Sequence, residues 1–425
     1  MLQTVVAIWV SFVMLFVNFV PGFILPADKK AEDKSYPYIF VHGFLGWGED
    51  EGIDGDFAYW GATSCHLIPN LNKEGYTCYD ASVGPISSNW DRACELYAQL
   101  TGTTVDYGVA HSKKCNHLRY GRKYDKPLIE NWGELDENGL INKVNLIGHS
   151  FGGNTVRLLV SLLSDGCQDE INATDSNDIS PLFTGGKSEW VNSLITICSP
   201  NNGTTMAYIA DKLHLTEWLT ELVYTYAGVM GRSPANGYVD FHLEQFGLTN
   251  IPGERTTKET IYKSIQVIMK QKYDNFAYDM SPDGATEANK TIDMEDNIYY
   301  FSYTFSTTYK GKITGNQLPL PSTLGILIPF STMMGAYKKN TDTKYPIDEN
   351  WLENDGLVNV ISAKYPFDDA HMDYNSNNIQ PGIWNVMPLS TGDHGTAIGI
   401  GTTEASTMEY YNGMISMVES LPIIK

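Results

Sequence analysis

In Val144-Asn-Leu-Ile-Gly-His-Ser-Phe-Gly-Gly153 a short apolar run feeds a serine bracketed by glycines. Val144–Ile147 predicts a buried strand and Gly153–Leu163 a helix, so Gly148-His149-Ser150-Phe151-Gly152 falls on a strand-to-helix turn. Such a turn is strained and crowded, which is why glycine is needed two places before and two places after the serine. It lifts the serine Oγ above the sheet edge and aims the next residue's N–H at a developing oxyanion.

Working outward, Tyr38–Val41 and Leu194–Cys198 are further short apolar runs that read as buried parallel strands. Each leads into a loop or helix through Gly, Ser or Pro, the rhythm of a doubly wound, mostly parallel α/β sheet. Asn297–Phe305, rich in Tyr, Phe and Thr, is a later strand. Leu215, Trp218, Leu219, Leu222, Val223 and Tyr226 recur at helical spacing, with Val229 and Met230 beyond, and predict one amphipathic helix.

Composition narrows the function. The chain has 425 residues, 42% of them apolar and 19% charged. At roughly 150 residues per domain that allows two or three domains or one large α/β unit. A net charge of −21 without an extended basic run makes nucleic acid a poor partner. Residues 2–26 carry no charge, are mostly apolar and break at Pro21-Gly22, which reads as an export signal, an uncleaved membrane anchor being the alternative. The six cysteines suit an oxidising compartment, with Cys65 and Cys78 the expected bridge and Cys198 read equally well as a buried thiol. Sequons at Asn172, Asn202 and Asn289 permit glycosylation; Asn202 sits too close to the expected catalytic edge, which leaves Asn172 and Asn289.

A serine needs a base oriented by a carboxylate, in the chain order Ser, acid, His. Of nine histidines only His214, His242, His371 and His394 lie well downstream, and His394 stands in a glycine-rich loop near the C-terminus. Asp355, ahead of Leu357–Val360, is the candidate acid, although an Asp at that place also serves plain turn chemistry. His42-Gly43-Phe44-Leu45-Gly46-Trp47, directly after the first strand, is where a second oxyanion donor belongs. His111 and His117, around Cys115, have a spacing that is a weak metal signal and fits two solvated loop histidines as well.

These motifs together resemble the secreted, zinc-containing lipases of the thermoalkalophilic bacillar group and, more distantly, the staphylococcal lipases. The resemblance is carried by Val41-His-Gly-Phe-Leu-Gly-Trp47, Val83-Gly-Pro-Ile-Ser-Ser-Asn-Trp-Asp-Arg-Ala-Cys94, Thr104-Val-Asp-Tyr-Gly-Val-Ala-His111, His149-Ser150, Trp351-Leu-Glu-Asn-Asp-Gly-Leu-Val-Asn359 and Gly382-Ile-Trp-Asn385. It implies an α/β-hydrolase fold with a catalytic triad of Ser150, Asp355 and His394. The backbone N–H groups of Phe44 and Phe151 become the oxyanion donors, Phe151 standing where the group usually has Gln.

The same resemblance implies a structural zinc held by Asp91, His111, His117 and Asp274, two imidazoles and two carboxylates in a closed tetrahedral set. It does not extend to the family's calcium site, whose carboxylate positions are here Thr396 and Gly401-Thr402, so Ca2+ is not expected. The helical insertion at about 203–245 is expected as a lid over the active site. The resulting expectation is an export segment over 1–26, a polar lead-in over 27–35 and one hydrolase domain over 36–425. It would cleave lipid esters, most simply long-chain acylglycerols, at an oil–water interface with no obligate protein partner. A short-chain carboxylesterase, a phospholipase and a catalytically silent binding protein on the same fold remain alternatives.

Overall fold

Side chains alternate along the central strands between two apolar layers. Ile39, Val41, Leu146, Leu194 and Tyr300 pack into one, and Tyr38, Phe40, Ile147, Ile195, Ile197 and Phe301 into the other. A sheet covered on both faces needs strands without a polar side, which is why these segments read as continuous apolar runs. The computed structural model describes residues 36–230, 238–249, 256–339 and 346–424. The central sheet contains β1 (Tyr38–Val41), β2 (Cys78–Ala81), β3 (Val144–His149), β4 (Val191–Ile197), β5 (Tyr299–Tyr303), β6 (His371–Asp373) and β7 (Trp384–Val386). Their spatial order is β6-β7-β5-β4-β3-β1-β2, with every pairing parallel. Helices α1 (Asn89–Thr101) and α2 (Phe151–Ser164) cover one face. Leu67–Lys73 and the C-terminal helix Glu404–Glu419 cover the other. This is the α/β-hydrolase arrangement, with the nucleophile turn at the end of a central strand.

The expected strand Leu194–Cys198 ends one residue early, because Cys198 turns into the left-handed region at φ 50°. The expected Cys65–Cys78 bridge is absent: both are free thiols. Asn72 closes that helix-to-strand segment instead, accepting from the Cys78 N–H at 2.7 Å and donating to its carbonyl at 3.0 Å. Asn172 is exposed. Asn289, whose sequon permits glycosylation, gives its amide to the Asn201 carbonyl at 2.9 Å and accepts from Arg157 at 2.9 Å. A glycan on that nitrogen would break the link.

Helix α3 (Leu215–Met230) occupies the expected amphipathic segment. Val223 and Ala227 are buried in a third cluster, Leu219 and Tyr226 pack against it, and Leu215 at the helix start is exposed rather than buried. The side chains of Trp218, Val229 and Met230, and all of residues 1–35, lie outside the described residues. Among the described residues no helix is long and apolar enough to cross a membrane.

Candidate active site

Ser150 sits between β3 and α2 at φ 55°, ψ −129°, and its N–H donates to the Ile197 carbonyl of the neighbouring strand at 2.8 Å. The flanking glycines show why this turn admits no side chains. A Cβ on Gly148 would lie 2.5 Å from the backbone of Gly152 and Gly153, and one on Gly152 would lie 2.1 Å from the Val41 carbonyl oxygen. Close packing of the nucleophile turn against the end of β1 thus brings the loop His42–Trp47 beside Ser150. A Cβ on Gly43 would meet the Ser150 Cβ at 2.7 Å.

Asp355 serves both roles that the pattern left open. Its Oδ1 accepts from the N–H groups of Leu357 (2.9 Å) and Val358 (2.7 Å), which builds the turn. Its Oδ2 is left for His394 Nδ1 at 2.8 Å, and the His394 N–H donates to the Asp355 carbonyl at 2.8 Å. Asp355 and His394 are both buried. The His394 loop is set by Asp393, whose Oδ1 accepts from Gly395 N–H and from the N–H and hydroxyl of Thr396, each at 3.1 Å. Thr396 therefore has a local task in place of the carboxylate that the resembled family carries. Of the other downstream histidines, His242 lies beside Glu51 at 3.5 Å and His371 stacks on Tyr365 at 3.6 Å. His214 lies just ahead of α3 in the left-handed region, at φ 54°.

Phe151 belongs to the same apolar cluster as Val223 and Ala227 of α3, and Phe44, Leu219 and Tyr226 pack against that cluster. Phe44 stacks on Phe276 with ring centroids 4.6 Å apart. Phe151 is the first residue of α2, where helix geometry leaves the N–H without an intrahelical partner.

Sequence reasoning missed Arg92, which is fully buried and donates from Nε to Thr155 Oγ1 (2.9 Å), from Nη1 to the Gly84 carbonyl (2.6 Å) and from Nη2 to the His42 carbonyl (2.5 Å). Its guanidinium lies 5.1 Å from the Phe151 ring centre. Burial lowers its pKa to about 10, against the pull of Glu95 and Tyr59. It ties the loop after β1 to the helix after the nucleophile. Its neighbours three and four places away are Ser88, Asn89, Glu95 and Leu96, so the pattern hides its burial, which is tolerated because its donors are satisfied.

The four metal candidates converge. His111 is on a short helix, Val109–Cys115, and His117 follows its left-handed cap Asn116; both lie between the paired strands Thr104–Asp106 and Tyr120–Lys123. His111 Nε2 lies 3.4 Å from Asp91 Oδ1 and 3.4 Å from Asp274 Oδ1, and His117 Nε2 lies 3.9 and 3.6 Å from the same two carboxylates. Ligands on arms of about 2.0–2.1 Å stand about 3.3 Å apart on a tetrahedron's edges. Asp91 Oδ1, both Nε2 atoms and both Asp274 oxygens are buried without hydrogen-bond partners, which is costly unless a cation satisfies them. The outer contacts orient the ligands. The Leu118 carbonyl holds His117 Nδ1 at 2.8 Å, Gln245 Nε2 donates to Asp91 Oδ2 at 2.8 Å, and Trp90 stacks on His111 at 4.9 Å. Cys115 Sγ reaches His111 at 3.9 Å through Nδ1, the other ring nitrogen. These residues fit a zinc ion.

Residues 34–418 match the family model described as lipase-like, C-terminal domain. Lipase 2 of Staphylococcus aureus is 35% identical over 411 residues, which is 92% of this chain and 55% of that protein. The chain thus spans about half the length of the curated relatives it matches. Among solved structures, lipase 1 from Pelosinus fermentans is 41% identical at a TM-score of 0.75, covering 92% of this chain and all of that one. Staphylococcus hyicus lipase is 31% identical at a TM-score of 0.78, covering 92% of this chain and 98% of its own.

Proposed function

This chain belongs to the lipase-like, C-terminal domain family, and we propose on that premise that it is a secreted serine lipase cleaving acylglycerol esters. The observation that carries the reading is the joining of His394 Nδ1 to Asp355 Oδ2 at 2.8 Å, in a loop whose carbonyl meets His149, the residue before a serine held at φ 55° between strand and helix. Ser150 Oγ attacks the ester carbonyl as His394 takes its proton, and Asp355 holds the imidazole tautomer and stabilises the imidazolium. The amides of Phe44 and Phe151 meet the oxyanion of the tetrahedral intermediate. His394 then protonates the leaving alcohol, and in the second half-reaction it activates the water that releases the acid.

Helix α3 acts as the lid. Its buried residues Val223 and Ala227 share one apolar cluster with Phe151, and Phe44 packs against that cluster, which supports a cover that lifts when its apolar face finds another apolar surface, such as an oil droplet. Asp91, His111, His117 and Asp274 would hold a structural zinc, which would supply a fixed crosslink rather than chemistry on the ester. The uncharged residues 2–26 direct export. Hydrolysis of emulsified triacylglycerol, compared with a short soluble ester and with Ser150→Ala as control, tests the reading. Faster turnover on the emulsion supports it. A preference for short soluble esters makes the enzyme a carboxylesterase, and activity that survives in Ser150→Ala removes the triad from the account.

A further inference from the structure

His149, the residue before the nucleophile, has no part in the mechanism above, yet both of its ring nitrogens are committed. Nδ1 meets Tyr59 Oη at 2.7 Å and Nε2 meets the His394 carbonyl oxygen at 3.2 Å. Tyr59 Oη also accepts from the Gly43 N–H at 2.9 Å. With the imidazole neutral, only one assignment of protons satisfies all three contacts. Gly43 N–H donates to Tyr59, Tyr59 O–H donates to His149 Nδ1, and His149 Nε2–H donates to the His394 carbonyl. The chain runs from the oxyanion loop, under the nucleophile turn, to the loop that carries the base.

We propose that Tyr59 and His149 are positioning residues, a buried strut that sets the oxyanion loop and the His394 loop at fixed heights relative to Ser150. The proposal rests on the serine-hydrolase reading. Every member is held in place. Tyr59 is 8% exposed and His149 1%, the Tyr59 ring packs edge-on against Trp47 and Trp60, and the His149 ring lies 4.7 Å from that of His394. Burial holds the His149 pKa well below the usual imidazole range, and the neighbouring His394 adds to this. This favours the neutral ring that the proton assignment uses. His394 is then fixed from both sides, by Asp355 at its backbone N–H and Nδ1 and by His149 at its carbonyl. Displacement of a reacting group by about 1 Å can cost around a hundredfold in rate, so a strut of this kind acts on turnover and not on substrate affinity.

The test uses Tyr59→Phe, His149→Ala and His149→Gln, and the double variant Tyr59→Phe/His149→Ala, in the full chain. Tyr59→Phe should lower kcat by about 10- to 100-fold with KM within about twofold and little change in Tm. The double variant should lose no more than the worse single one, since the two act as one unit. His149→Gln, with an amide that can both accept and donate, should recover part of the His149→Ala loss and leave the acid limb of the kcat/KM pH profile unmoved. Wild-type kcat in Tyr59→Phe, or losses that add in the double variant, would overturn the strut. A phosphonate ester that labels wild-type Ser150 keeps the two claims apart. If the wild type is not labelled, the hydrolase reading itself fails; if it is labelled and the variants turn over normally, only the strut fails.

Discussion

Asp355 divides its two oxygens between a turn and a histidine, and this division makes its substitution informative. In Asp355→Asn the amide oxygen can keep the turn, but an N–H then faces His394 Nδ1 and forces the wrong tautomer. The expected outcome is a fold and Tm close to wild type with kcat down by about 10⁴. Ser150→Ala should cost about 10⁶ and leave only background hydrolysis. Both are read from initial rates on a chromogenic ester beside a melting curve. At this scale the sequence was uneven in what it revealed. The glycines around Ser150 announce themselves because only a crowded turn needs them. The pattern around Asp355 was ambiguous because turn chemistry and catalysis use the same side chain at once. Tyr59, His149 and Arg92 do not stand out as functional groups in the sequence, because their partners, among them the Gly43 N–H, the His42 and His394 carbonyls and Thr155 Oγ1, come together only in the fold.

Among the elements, β1, β3 and the helix after Ser150 were legible because burial on both sheet faces leaves an apolar run that glycine ends. The amphipathic stripe of α3 was equally plain, but what it covers depends on long-range packing that periodicity does not encode. Val223 is a direct probe of that packing. Val223→Ser should weaken closure, raising the rate on soluble esters several-fold while the rate on emulsions changes little. Equal rates of wild type and variant on soluble esters would count against a lid.

The segment after α3 returns to the core at residues 238–249, where His242 is fully buried. Burial and Arg122 oppose its charge, but Asp240, Glu51 and Glu95 outweigh them and raise its pKa to about 9. A histidine raised in the folded state gives stability that is full below its unfolded pKa of about 6.5 and is lost as pH rises through the folded value. The Tm difference between wild type and His242→Gln should therefore shrink as pH goes from about 6.5 through 9. A constant difference would show that the charge is not what anchors this return.

The whole molecule carries a net charge of −21, and the proposed reading gives it two sites with separate tasks, an ester-cleaving centre and a metal crosslink. If the zinc is structural, purified protein should contain about one zinc per chain. Removing it with a chelator should lower Tm by several degrees, and activity should fall only as the fold loosens. Full stability without metal would leave the buried, unpartnered atoms of His111, His117, Asp91 and Asp274 unexplained. The acidic surface disfavours electrostatic docking on anionic membranes, so lipid contact should be apolar and pass through α3. The central claim is that Ser150 is the nucleophile. It is tested most directly by mass spectrometry after exposure to an alkyl phosphonate ester. One adduct per chain is expected, on the peptide containing Ser150, in step with loss of ester hydrolysis. No adduct there while hydrolysis is abolished, or hydrolysis persisting in a fully labelled enzyme, would contradict it.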